Sequence, residues 1–74
     1  MLSYLLLNVE RKSQQEIKER LLKFEFTVDR VNKTNGKYNI IVRIITDNKS
    51  SLNNFISEQL NPLEDINEIE TIII

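Results

Sequence analysis

The run Thr34-Asn35-Gly36-Lys37-Tyr38-Asn39 collects a hydroxyl, two amides, an ammonium, a phenol and the chain's one glycine. That set suits holding a small molecule rather than breaking one. Gly36 lets the backbone take conformations closed to other residues, Tyr38 joins an apolar ring to a polar tip, and Asn39 carries both an acceptor oxygen and a donor NH₂. Other chemistry is poorly supplied. The 74 residues contain no His and no Cys, which removes thiol nucleophiles, Ser-His and Cys-His pairs, His-ligated haem and the usual acid-base group near pH 7. The same absence makes a zinc site unexpected. Lys37, Tyr38, Arg43 and scattered carboxylates form no constellation that suggests a reaction. The expectation is a binding module rather than an enzyme, with no catalytic residue, metal or cofactor.

Each of these side chains also has a purely structural reading. Asn35-Gly36 suits a two-residue type I′ hairpin turn, with φ > 0 at both positions. Tyr38 fits a core or interface aromatic as well as a pocket wall. Asn39, polar within an apolar stretch, needs hydrogen-bond partners if buried, and either a local turn bond or a bound effector supplies them. Arg43 reads as a solvated or cross-strand-paired charge before a ligand clamp, and Thr71 as a β-branched strand residue.

The elements that must position these groups follow from the switch between period 2 and period 3.6. Residues 2–9 form a short run that is apolar on both sides and reads as a strand. Ser13 and Glu16 have capping-box spacing, and Ile17, Leu21, Leu22 and Phe24 give an apolar stripe, so a helix is predicted over about residues 14–23. Residues 26–33 alternate as a half-exposed edge strand, with Phe26, Val28, Arg30 and Asn32 opposing Thr27, Asp29, Val31 and Lys33. Its antiparallel neighbour spans residues 38–46, with Tyr38, Ile40, Val42 and Ile44 on one face and Ile41 and Ile45 on the other. Asp47, Asn48 or Ser50 caps a second helix carrying Leu52, Phe55, Ile56 and Leu60, which Asn61-Pro62 stops. A last strand covers residues 66–74, Ile66, Glu68, Glu70, Ile72 and Ile74 alternating with Ile69, Thr71 and Ile73.

The order βαββαβ with right-handed crossovers predicts an α+β, ferredoxin-like sandwich in one domain, residues 1–74: an antiparallel sheet of order 4-1-3-2 with both helices on one face. Helices cover only one face, yet three strands are apolar on both, so a second copy is the simplest cover. A chain this short gains little net stability from its own core, and without disulfides or a metal, association is the remaining remedy. All ten basic residues precede Ser50, while the segment after it carries five carboxylates. These charges are either solvated or pair basic Arg30, Lys33 and Lys37 of one subunit with acidic residues of another, setting register. A net charge of −1 and a sheet of Ile and Leu rather than basic and aromatic residues argue against direct nucleic-acid binding. No apolar run reaches the ~18 residues of a membrane span, and Met1 to Leu7 lacks the flanks of a signal peptide. A cytoplasmic protein is expected.

From Ser3 to Ile74 the pattern resembles the effector-binding half of the Lrp/AsnC (feast/famine) transcriptional regulators, the module called RAM. Tyr4-Leu5-Leu6-Leu7-Asn8-Val9-Glu10 is similar to the family's first strand, residues 34–42 to its T-G-x-Y-D-hydrophobic signature, and Leu52-Asn53-Asn54-Phe55-Ile56 to its L-x-x-F. Glu70-Thr71 before the apolar end looks like the family's ending. The resemblance implies an amino-acid or related effector at Thr34, Gly36, Lys37, Tyr38 and Asn39, with Thr71 contributed by a neighbouring subunit. It also implies a homodimer, a larger ring of dimers, and co-assembly with full-length regulators. Two departures follow. The family's helix-turn-helix has no counterpart before Leu2, which implies a stand-alone module, and the family's Asp after Tyr is Asn39, which loses the charge that would meet an ammonium. The alternatives are a structural assembly protein with no effector and, third, a small enzyme of dimeric ferredoxin-like type.

Overall fold

A computed structural model describes all 74 residues. Four strands and two helices alternate as β1 (Leu2–Val9), α1 (Gln14–Leu22), β2 (Val28–Lys33), β3 (Ile40–Ile45), α2 (Lys49–Phe55) and β4 (Ile66–Ile73). All neighbouring strands are antiparallel, in the order β2-β3-β1-β4. This is the ferredoxin-like sheet expected from the element order. Ser3, Leu5, Leu7 and Val9 of β1 alternate inward with Ile40, Val42 and Ile44 of β3, and Ile17, Leu21, Leu52 and Leu60 close over them from the helical side. Phe24 and Phe55 meet edge to face, with ring centroids 5.2 Å apart, and join the ends of the two helical segments. Leu22, assigned by its spacing to the inward stripe, is instead exposed.

Both edge strands depart from simple alternation in the same way. A register shift between Val28 and Arg30 leaves Asp29 as the extra residue, so Val28 and Val31 both face the core although strict alternation puts them on opposite sides. A second shift between Asn8 and Val9 leaves Asn67 extra and brings Ile66 to the face of Ile69. Two apolar residues three apart thus share a face because burying both outweighs one lost ladder position. Phe26 does not belong to β2: residues 25–27 turn, and its ring is 97% exposed.

Two helix starts differ from expectation. The Ser13 side chain makes no capping bond; its hydroxyl donates to the Asp65 carboxylate at the entrance to β4 instead, so no capping box forms. Asn48 does cap α2, its Oδ1 accepting from Ser51 N–H at 2.8 Å. Beyond Phe55 the helix widens into a π turn over Ile56–Leu60, closed by Asn61 N–H to Ile56 O at 2.9 Å. A wider turn rotates less per residue, which brings Leu60 back in line with Leu52, and both are buried.

Candidate functional site

The connection between β2 and β3 is a six-residue loop, residues 34–39, and not the tight turn expected. A two-residue turn centred on Asn35-Gly36 would pair Lys33 with Tyr38, whereas the sheet pairs Lys33 with Ile40. Packing Val31 against Val42 and Val28 against Ile44 sets that register, and the turn dipeptide yields to it. No residue has positive φ, Gly36 included, and a Cβ there would meet only Thr34 Oγ1 at 3.8 Å. The type I′ assignment is therefore wrong, and with it the need for glycine on backbone grounds.

Side chains close this loop. Thr34 N–H donates to Asn39 O at 2.9 Å, Thr34 Oγ1 donates to Tyr38 O at 2.7 Å, and the same oxygen accepts from Gly36 N–H at 3.2 Å. Asn39 bonds the neighbouring strand with both ends of its amide: Nδ2 donates to Val9 O at 2.8 Å and Oδ1 accepts from Val9 N–H at 2.9 Å. Its side chain therefore imitates one more rung of the β1–β3 ladder. Of the two roles left open for Asn39, the local bond is the one formed, and it occupies one N–H and one lone pair of the amide.

Lys37 and Tyr38 swing to the opposite side. Tyr38 leaves the face of Ile40 and meets Glu70, which pairs with Leu6 on the sheet face away from the helices. Interaction of its hydroxyl with the Glu70 carboxylate, then burial, raise the phenol above its usual value. Lys37 Nζ lies 3.4 Å from Glu68 and 5.3 Å from the Tyr38 ring centroid, and hydrogen bonding to Glu68 and that group's charge raise its pKa. Asn8 Nδ2 donates to Lys37 O at 2.5 Å and ties the loop to β1. Thr71 pairs with Leu5 on the helix-side face of the β4 edge, opposite Glu68 and Glu70, and does not join this cluster within one chain.

What the loop leaves open is a polar cleft of about 580 Å³ lined by Arg11, Gln14, Thr34, Asn35, Gly36 and Asn39. Three of the expected site residues thus come together, while Lys37 and Tyr38 stand behind them in ion-pair and phenol–carboxylate contacts. Arg11 and Gln14 were not foreseen. Arg11 sits in a single 3₁₀ turn over Arg11–Ser13, and only the tertiary approach of the loop turns it into a cleft cation. It has no carboxylate partner, and the N–H groups of Asn35 and Lys37 donate to no protein acceptor. Of these, Asn35 lines the cleft with Arg11, so an anion entering here meets one guanidinium and the free N–H of Asn35.

Comparison with known proteins agrees with this architecture. Residues 3–74 match the family model of the Lrp/AsnC ligand binding domain. The chain is 30% identical over 74 residues to the HTH-type transcriptional regulator FL11 of Pyrococcus furiosus, covering all of this chain and 48% of that one, so it spans about half of the regulator's length. Among solved structures it is similar to FFRP-DM1, with a TM-score of 0.90 at 26% identity over 99% of this chain and 96% of that one. It is likewise similar to the hypothetical protein PHS023 of Pyrococcus horikoshii, with a TM-score of 0.87 at 25% identity over 96% and 84% of the two chains. With a family match running from Ser3 to the last residue, the chain belongs to the Lrp/AsnC ligand binding domain family.

Proposed function

We propose that this domain binds a small carboxylate metabolite of the amino-acid class in the cleft at residues 34–39 and self-assembles through the open face of its sheet. The observation that carries the first part is that Arg11, without a carboxylate partner, shares with Asn35, whose N–H is free, a cleft with no apolar lining. Such a site favours a small, charged ligand over a large apolar one. Thr34, Gly36 and Asn39 shape the wall, Lys37 and Tyr38 brace it from behind, and Thr71 reaches a site only from a neighbouring subunit. Titration calorimetry against the twenty amino acids tests this reading, with Arg11→Gln as the control that removes the carboxylate partner. A ligand bound with unchanged affinity by Arg11→Gln refutes the site.

Assembly is supported by the sheet itself. Tyr4, Leu6, Ile41, Ile45 and Ile72 occupy the face that no helix covers, and four strands ~4.8 Å apart and ~20 Å long span roughly 400 Å² in projection. Within that area the apolar side chains are contiguous across β3, β1 and β4, and exposed apolar patches rimmed by polar residues mark interaction sites. The reading is a homodimer, closing into a ring of dimers and co-assembling with full-length regulators, in the cytoplasm, with no direct contact to nucleic acid or membrane. Ile41→Glu, on the open face, should give a folded monomer in sedimentation, whereas Leu7→Glu, on the helix face, should unfold the chain. A wild type that stays monomeric at 100 µM removes this part. Asn39 favours one alternative, a purely structural assembly module, because its amide is already engaged on both its oxygen and its nitrogen by Val9; calorimetry without any binder would select it.

A further inference from the structure

The cleft beside the loop of residues 34–39 is unbalanced in charge. Of its six lining residues Arg11 carries a positive charge and the other five are neutral, so the cleft holds a cation and several amides but no carboxylate. The anions of the adjoining segments are spent elsewhere. Glu10, next to Arg11 in the chain, accepts from Asn67 Nδ2 at 2.6 Å; Asp65, whose backbone carbonyl accepts from Glu10 N–H at 2.9 Å, takes the Ser13 hydroxyl; and Glu68 pairs with Lys37 at 3.4 Å. A second cation stands at the end of β2. Lys33, immediately before the loop, donates from Nζ to Gln15 Oε1 at 2.6 Å and meets no carboxylate. The hydrogen-bonding groups lean the same way: Asn35 N–H is an unused donor, whereas the Thr34 hydroxyl already donates to Tyr38 O and accepts from Gly36 N–H.

We propose that the cleft takes a short 2-oxo acid in preference to the amino acid of the same carbon skeleton. The proposal rests on the cleft reading above and names the ligand class within it. Both kinds of ligand offer Arg11 a carboxylate. They differ at the next carbon, where an oxo oxygen can accept from a free N–H such as that of Asn35, whereas an α-ammonium only donates, finds neutral oxygens in place of a carboxylate and is repelled by Arg11. With no apolar side chain in the lining, a long hydrocarbon tail gains nothing there, which confines the class to small or dicarboxylic members. Arg11, Asn35 and Gly36 are exposed, so the ammonium keeps part of its hydration and the preference is moderate, about tenfold.

Titration calorimetry near neutral pH on matched pairs, pyruvate with alanine and 2-oxoglutarate with glutamate, tests the choice. In each pair that binds, the 2-oxo acid should bind about tenfold more tightly, and Arg11→Gln should weaken both members together. Asn35→Asp supplies the missing anion and leaves the backbone N–H in place; it should weaken the 2-oxo acid and shrink the difference within a pair at least about fivefold. Circular dichroism checks that both variants are folded. Equal affinities within the pairs, an amino acid that binds more tightly than its 2-oxo acid, or a preference that Asn35→Asp leaves unchanged overturns the proposal. In those cases a loss of binding in Arg11→Gln still marks the cleft as the carboxylate site, and only the preference falls. If no member of either pair binds, or if Arg11→Gln changes nothing, the cleft reading falls and the preference with it.

Discussion

The two faces of the sheet are made from the same strands and nearly the same residue types, yet one is finished and the other is not. On the helix face, Leu5, Leu7, Val9, Ile40, Val42 and Ile44 are sealed by Ile17, Leu21, Leu52 and Leu60. On the open face, Tyr4, Leu6, Ile41 and Ile45 alternate with those same residues along the same backbone and have water or a partner above them. Apolar character alone therefore does not say where the core lies; coverage by a second layer does. The charges make the same division. None stands among the buried residues, whereas Arg30, Arg43, Glu68 and Glu70 all lie on the open face.

Truncating neighbouring residues on opposite faces should separate the two most clearly. Leu7→Ala should cost about 2–5 kcal/mol in urea unfolding, because it empties a sealed site. Leu6→Ala should leave unfolding of the dissociated chain nearly unchanged and weaken association instead. Equal losses for both would mean that the two faces are not distinct.

Next in size is Asn39→Asp. A carboxylate can still accept from Val9 N–H but cannot donate to Val9 O, and an anionic oxygen would oppose that carbonyl. A loss of about 1–3 kcal/mol is expected, with faster hydrogen exchange at the start of β3. A more stable variant would show that the amide is not what joins the loop to β1.

Ser3 lies fully buried on the helix face with its hydroxyl unpartnered. Ser3→Ala should therefore raise stability by about 1 kcal/mol, since a buried unpaired hydroxyl costs more than a methyl group. A fall in the melting temperature would count against this face being closed and dry.

The smallest effect is the titration of Tyr38. Its pKa is raised from 10.0, so the folded state holds the proton more tightly than the unfolded one. The associated stability is complete below about pH 10 and is lost as pH rises through the folded value. Glu70→Gln should lower the phenol's pKa toward the ordinary value in an ultraviolet titration. Lys37, raised from 10.5 by Glu68, adds a loss in the same direction at high pH.

Much of this was readable before any coordinates. The period of the apolar residues placed β1 over Leu2–Val9 and gave helices and strands in the βαββαβ order, because alternation and the i, i+3, i+4 stripe are properties of single segments. The unpartnered sheet face was likewise legible, since both sides of β1 and β3 are written in their own residues. Of the site, the stretch 34–39 was found, but not what its side chains do there.

What tertiary structure decided is whatever depends on a partner distant in sequence. Core packing of Val31 on Val42 overrode the Asn35-Gly36 turn, and two bulges moved Val28 and Ile66 to the buried face. Asn39 found its bonds at Val9, thirty residues away, and Ser13 found Asp65 rather than its own helix end. Arg11 became part of a cleft only when the loop folded beside it. Local sequence sets which element forms, because backbone and side-chain preferences act over a few residues. Register and hydrogen-bond partners are set by the packing of the whole sheet, where burying apolar pairs outweighs a turn or capping preference of a kcal/mol or so.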